Sequence, residues 1–512
     1  MADESENRVR FQALVDKESN KVIFIETDNV DFIDALFSFL TIPMGTIIKL
    51  GRNSSHSSTP VKIGCMNNLY SSVETMDGHY FRGEGCKAML LCPRNGSESL
   101  CKHLKLSIDG NGEPKRYFLC PSCISCKLLS HYKDVLCSCG LSMNHEKELI
   151  ALRESKKIQD GGGVFFKVPT RLIISEGLRV MRPLESFSLF MKLGLSDVNA
   201  AEVVTCSLGI AEVLNLLICS LVSKTPLTET LLKHKPAPKS KNENRNCRQT
   251  SIDTNVVGDA MKVKLLISKS KKMVCYAEAG EDFVDLLFSF MTLPLGYILK
   301  QMSTGDCSNN FKGCIDQLFK SVHDLNEQYL KSNYQKDILL SPRLYPGFCY
   351  KNHLLGIKEG PEASYYYAKC PEGLLYYAKI RDNLSSDSPN CSNRPVKEST
   401  DMLTTDKYLI PVHFERTGHL RFKDEKSAQG FVKRQTMFTI SDSLIIRPIS
   451  PIYGFSILNE LNVPLSDIKE EVVQVGKEEA LRLLMASFLG DTALTDTFMM
   501  HSTSSDFSFA QA

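Results

Sequence analysis

Apolar and polar positions alternate near the start of the chain, and the same pattern returns halfway along it. Residues 11–15 and 22–25 are apolar stretches flanking a polar turn at 16–20. Further on, Val263, Leu265 and Ile267 alternate with Lys264, Leu266 and Ser268, and after the turn 269–272 a second apolar stretch runs over 273–277. Each pattern predicts a β-hairpin. A helix is predicted next in both places. Phe32, Ala35, Leu36, Phe39 and Leu40 fall at i, i+3, i+4, i+7 and i+8, as do Phe283, Leu286, Leu287, Phe290 and Met291. Ile33 and Phe37, matched by Val284 and Phe288, make the other flank apolar, so this helix belongs between layers rather than on a surface. Pro43 and Pro294, each followed two residues later by glycine, end it.

The recurrence extends beyond hydropathy. Residues 30–45 read VDFIDALFSFLTIPMG and residues 281–296 read EDFVDLLFSFMTLPLG, about 251 positions apart. Residues 209–228 match 476–495 at an offset of about 267. Long-period self-similarity points to tandem domains. Between these blocks, residues 88–91, 105–108 and 116–119 read as strands, with Asp109-Gly110-Asn111-Gly112 as a hairpin turn. Leu90, Leu91, Pro93 and Arg94 match Leu339, Leu340, Pro342 and Arg343, and a Tyr-rich strand ends in Cys120-Pro121 or Cys370-Pro371. Each half then has a strand with an acidic residue and a proline (173–183, 438–448), and helices up to a shared Leu-Thr. Residues 203–222 are apolar at helical spacing and read as one helix.

The expected fold class is α+β, with two homologous tandem modules of antiparallel strands and helices. Copy one spans 8–232 and carries a Cys-rich, zinc-ribbon-like insert at about 117–140. A basic polar linker covers 233–259, copy two 260–500 and a tail 501–512. Duplicated modules often keep an old two-fold contact, so the copies are expected to pack as a pseudo-dimer.

With 43% hydrophobic and 23% charged residues and a net charge of +2, the composition is that of a globular protein, without an electrostatic footprint for nucleic acid. No apolar run reaches the roughly 18 residues of a membrane span. The polar, acidic start MADESENRVR is unlike a signal or transit peptide, so the cytoplasm or nucleus is the expected compartment. In such a compartment, 18 cysteines suggest free thiols or metal ligation rather than disulfides.

The sharpest candidate chemistry is the run Cys120, Cys123, Cys126, Cys137, Cys139. Two thiolate pairs about a dozen residues apart can close a tetrahedral four-sulfur site, which suits zinc. Cys120, Cys123, Cys137 and Cys139 are the first choice of ligands, with Cys126 and His131 as alternatives; the second pair is CxC rather than CxxC. The competing readings are reduced cysteines without a metal, or a redox role. A closed four-thiolate site argues for folding rather than catalysis. Copy two keeps Cys370 and at most Cys391 there, with Glu372-Gly373 in place of the second thiol, so one zinc per chain is expected.

Other candidates read as architecture. Asp31 and Asp34, matched by Asp282 and Asp285, fall in the first turn of the predicted helix, where the helix dipole favours carboxylates. Gly161-Gly162-Gly163 lacks the partners of a phosphate loop and reads as a hinge before an apolar strand at 164–168. The basic stretch 233–249 is interrupted by Pro, Ala, Ser and Asn, as in a solvated linker, with a nuclear signal as the alternative. No catalytic motif of the common hydrolase, metalloprotease or kinase types occurs.

The repeated DF-x-D-x-L-FSF-x-T-x-P-x-G block, the LLCPRN run at 90–95, the Cys-bearing stretch 117–140 and the terminal G-x-x-EAL-x-LL…ALT pattern resemble one family. It is the uncharacterised domain of unknown function 674 family. The resemblance covers nearly the whole chain and implies a plant source and two copies per chain. It brings no catalytic residue.

These residues point to a non-enzymatic interaction or scaffold protein with one structural zinc and protein partners. Two other readings stay open. One is an enzyme whose site is assembled at the inter-copy cleft, marked by a concave pocket with perturbed acids or histidines. The other is a nucleic-acid-associated protein acting through the ribbon and basic linker.

Overall fold

The computed structural model describes residues 8–53, 61–108, 116–121, 128–151 without 138 and 149, 163–167, 171–182, 188, 190–191, 197–233, 261–304, 311–345, 354–360, 364–370, 373–378, 409–414 and 430–499. The first elements follow the alternation in the sequence. β1 (Val9–Asp16) and β2 (Lys21–Thr27) form a hairpin, and β1 buries Val9, Phe11, Ala13 and Val15 from one face. α1 (Val30–Ser38) starts at Asn29, whose side chain accepts the Phe32 N–H and so satisfies one of the free amides at the helix start. All its residues from Phe32 to Ser38 are buried, as the two-sided apolar pattern predicts. The chain tightens through Phe39–Thr41 before Pro43. Three more helices follow: α2 (Met44–Asn53), α3 (Met66–Thr75) and α4 (Glu84–Leu91).

Residues 88–91, expected as a strand, are the last turn of α4. Its buried residues Gly85, Cys86, Met89 and Leu90 keep helical spacing, but a four-residue apolar run is too short to display its period. Residues 105–108 form turns rather than a strand, while the expected strand at 116–119 is present. The predicted turn at 109–112 lies outside the described residues.

The Cys-bearing segment supplies β3 (Arg116–Leu119), β4 (Leu128–Ser130), β5 (Val135–Leu136), β6 (Ser142–Met143), β7 (His145–Glu148) and β8 (Ile150–Ala151). β9 (Leu172–Ser175), β10 (Val180–Met181), β11 (Ala201–Leu208), α5 (Ile210–Val222) and α6 (Pro226–Leu231) complete the N-terminal half. The single helix expected over 203–222 is thus a strand followed by a helix. Gly209 separates them, and its N–H is taken up by the Glu212 carboxylate at 2.9 Å.

The C-terminal half repeats this order with β12 (Met261–Ser268), β13 (Met273–Ala279), α7 (Glu281–Ser289), α8 (Leu295–Thr304), α9 (Ile315–Asp324) and α10 (Asn333–Leu340). Then come β14 (Ser364–Cys370), β15 (Gly373–Ala378), β16 (Leu409–Phe414), β17 (Phe438–Ser441), β18 (Ile446–Pro448), α11 (Pro451–Glu460), β19 (Ile468–Val475), α12 (Lys477–Leu489) and α13 (Ala493–Phe498). The stretches 173–183 and 438–448, expected as one strand each, are both pairs of short strands around a turn bearing Glu176 or Asp442.

Among the described residues, two five-stranded antiparallel sheets have the same layout, β10-β9-β2-β1-β11 and β18-β17-β13-β12-β19. Their hairpins even carry register shifts at matching places, between Leu14 and Val15 and between Leu266 and Ile267. The fold is α+β, and the two sheet units fit tandem modules. A third sheet, β7-β3-β4-β16-β14-β15-β8, mixes strands of both halves.

The halves are interlocked. α3 packs on β18 of the C-terminal sheet, where Ser72 Oγ accepts the Ile446 N–H at 2.9 Å. Reciprocally, α9 packs on β10, and Ser321 Oγ accepts the Val180 N–H at 2.9 Å. At the helix starts, Cys65 N–H donates to Ser487 O and Cys314 N–H to Ser220 O, both at 2.8 Å. One contiguous cluster of buried apolar side chains runs through both halves. No described helix is long and apolar enough to cross a membrane.

Candidate metal centre

β5 and β6 pair antiparallel, Val135 opposite Met143, and the turn between them holds the second cysteine pair. Cys137 N–H donates to Leu141 O and Gly140 N–H to Cys137 O, both at 2.8 Å. Gly140 sits at φ +85°, a backbone conformation open to glycine and strained for other residues. Val135 and Met143 are buried, and β5 packs on α4, where a β-carbon on Gly85 would run into Val135. Cys120 leaves the end of β3 and points to the same place. The sulfurs of Cys120, Cys137 and Cys139 all lie within 4.8 Å of one another, and Cys120 Sγ is 3.5 Å from Cys139 Sγ. Zinc–sulfur bonds of about 2.3 Å set tetrahedral ligands roughly 3.8 Å apart, so the three sulfurs already stand at ligand spacing.

Cys137 is buried and Cys139 exposed. The Leu141 amide, then the Cys120 and Cys137 thiols, stabilise the Cys139 thiolate and hold it below the usual thiol range. Cys123 and Cys126 fall outside the described residues. His131 is not a member of the three-sulfur group; its ring lies edge-on to Tyr345, with centroids 5.7 Å apart.

Of the four carboxylates of the repeated DF-x-D block, Asp31 and Asp282 stand in the first helical turn as expected, and Asp34 and Asp285 do not. Asp31 does sit in the first turn of α1, bonded to Lys105 at 2.8 Å. Asp34 lies deeper and is buried. It accepts the N–H groups of Phe165 and Phe166, both at 3.0 Å, and that of Val164. Asp285 does the same with Phe431 and Val432, at 2.8 and 2.9 Å. These residues lie on two crossing segments, Phe166 bridging to Leu330 and Val432 to Phe81, so each aspartate anchors a strap to the other half. The apolar strand expected at 164–168 is therefore, in its described part, a single bridge. Burial pushes Asp34 up to about 6 and Asp285 to about 7 against the pull of those amides.

A model of the family described as "Protein of unknown function (DUF674)" matches residues 5–478. The chain belongs to this family. No curated protein matches it, and no solved structure does.

Within this member of the family, the repeated blocks have physical explanations. A β-carbon on Gly45 would lie 2.6 Å from Leu90 O and 2.9 Å from Pro93 Cδ; on Gly296 it would lie 2.9 Å from Leu339 O. The P-x-G and LL-x-PR blocks recur together because they pack on each other. The shared Leu-Thr marks a second pair of acids, Asp442 buried and Glu176 partly buried, that sequence reasoning did not assign. Thr228 Oγ1 accepts the Val22 N–H at 2.9 Å and donates to Glu176 at 3.0 Å. Thr495 Oγ1 accepts the Val274 N–H at 2.9 Å and donates to Asp442 at 2.7 Å. Burial raises Glu176 to about 8 and Asp442 to about 6. The available signal was an acid and a threonine repeated together in both halves.

Proposed function

We propose that this chain is a non-enzymatic interaction protein, built of two tandem copies, with one structural zinc on its N-terminal copy. The observation that carries the reading is the convergence of Cys120, Cys137 and Cys139 on one point, while Cys123 is positioned by sequence to be the fourth ligand. Bound there, zinc supplies folding free energy and leaves no coordination position open for substrate. The strongly perturbed acids Asp34, Asp285, Glu176 and Asp442 hold backbone amides in matching pairs, as structural groups do. Large apolar side chains at the C-terminal surface, Ile452 at 79% and Phe455 at 64% exposure on α11, suit a protein partner.

Metal analysis of the purified full chain beside a Cys120→Ser, Cys123→Ser double variant tests the zinc. One zinc per chain, lost in the variant, is the expected result; a metal-free wild type purified without chelators overturns it. Partner binding that survives Phe455→Asp with Ile452→Asp overturns the role of α11.

A further inference from the structure

The three-sulfur cluster is asymmetric in a way that a purely structural metal site does not require. Cys139 sits at the exposed tip of the Cys137–Leu141 turn, Cys120 is half-buried, and Cys137 is buried with 3% exposure. The sulfur of the exposed residue lies 3.5 Å from that of the half-buried one. A disulfide needs about 2 Å, a gap that rotation of two side chains can close when one lies in a solvent-exposed turn. Cys137 is held in place by its own backbone, with N–H and C=O both bonded within the turn.

We infer that Cys139 and Cys120 form a peroxide-sensitive dithiol, whose disulfide and the metal are alternative occupants of the same sulfurs; the second clause rests on the zinc reading above. Cys139 is the residue that meets oxidant, because it alone of the three is exposed. Its thiolate attacks one oxygen of hydrogen peroxide; the O–O bond breaks, giving a sulfenic acid and hydroxide. The Cys120 thiolate attacks that sulfur, forming the S–S bond and expelling the second hydroxide. The two protons from the thiols convert both hydroxides to water, so peroxide is reduced by two electrons and the dithiol oxidised by two. The link ties the end of β3 to the turn and removes two of the four sulfurs of the proposed zinc site. The C-terminal half, with Glu372-Gly373 at the matching place, has no equivalent pair there.

The test is peptide mass mapping under non-reducing conditions after hydrogen peroxide treatment of the full chain, stripped of metal or loaded with zinc. A Cys120–Cys139 crosslink reversed by dithiothreitol is expected in the stripped protein. With zinc at about ten times its dissociation constant, the crosslink should form roughly tenfold more slowly. Cys120→Ser should divert Cys139 to sulfinic acid, whereas Cys137→Ser should keep the crosslink. A wild-type protein that gives no crosslink, or links Cys137 instead, overturns the dithiol. Crosslinking unaffected by bound zinc overturns the competition. Crosslinking in a protein that takes up no zinc supports the dithiol and overturns the metal reading instead.

Discussion

Pro43 and Pro294 stand opposite one another where the two halves meet. Around them Met44 N–H donates to Leu293 O and Leu295 N–H to Ile42 O, both at 3.0 Å, a reciprocal pair of bonds that maps each half onto the other. Such a contact, together with the exchanged helices α3 and α9, makes one folding unit out of two. The full chain should therefore unfold in a single transition, and residues 8–232 expressed alone should lack the near-UV signal of fixed packing. Thermal unfolding followed by circular dichroism checks this. Two halves that each melt cooperatively by themselves would refute it.

The straps held by Asp34 and Asp285 leave no room for a side chain. A β-carbon at Gly163 or Gly430 would overlap the Asp34 or Asp285 carboxylate. Gly430→Ala should destabilise by about 1–3 kcal/mol, the usual cost of overpacking. Gly177→Ala, whose β-carbon would have its nearest neighbour at 3.9 Å, serves as the control and should change stability by about 0.5 kcal/mol or less. Urea denaturation compares the two.

Thr228 and Thr495 each connect a hairpin amide to an acid shielded from solvent, Glu176 partly buried and Asp442 buried. Replacing either by valine keeps the shape and leaves an amide and a carboxylate short of a partner, at about 1–3 kcal/mol. The sites lie in different sheets, so the double variant should show the sum of the two effects. A near-neutral Thr228→Val would contradict the role assigned to the repeated Leu-Thr.

Asp34, Asp285, Glu176 and Asp442 all have folded-state values above those of an unfolded chain, about 3.9 for Asp and 4.3 for Glu. The folded chain thus binds more protons than the unfolded one in the interval between, and stability contributed by these groups falls as pH rises. That contribution is complete below about pH 4 and is lost through about pH 6 to 8. Denaturation midpoints should drop from about pH 5 to about pH 8, and Asp285→Asn should flatten the slope. A stability that rises over that interval and is unchanged in slope by Asp285→Asn would refute the assignment.

The hairpins and α1 were legible because their patterns are long and strict: β12 buries Val263, Leu265 and Ile267 on one face as the alternation says. Residues 201–208 misled for a physical reason. β11 is an edge strand with Val203 exposed, so its apolar residues do not alternate cleanly, and it runs into a true helix. Asp34 was expected in the first helical turn but lies one turn further in, and it bonds amides 130–132 residues away, which no local rule contains. The repeat revealed two equivalent units without saying which sheet each helix covers, since Ser72 and Ser321 look alike whether they bond at home or across. For the cysteines, spacing picked four residues, and the fold brings three of them, Cys120, Cys137 and Cys139, together, while Cys123 lies outside the described residues.

The exchange of α3 and α9 carries a consequence for anyone mapping damage in this molecule. Ser72 belongs to the N-terminal half by position, yet the amide it protects is Ile446, 374 residues away. A lesion at Ser72 will be felt first at the rim of the opposite sheet, so the address of a mutation in this chain is not the place where it hurts.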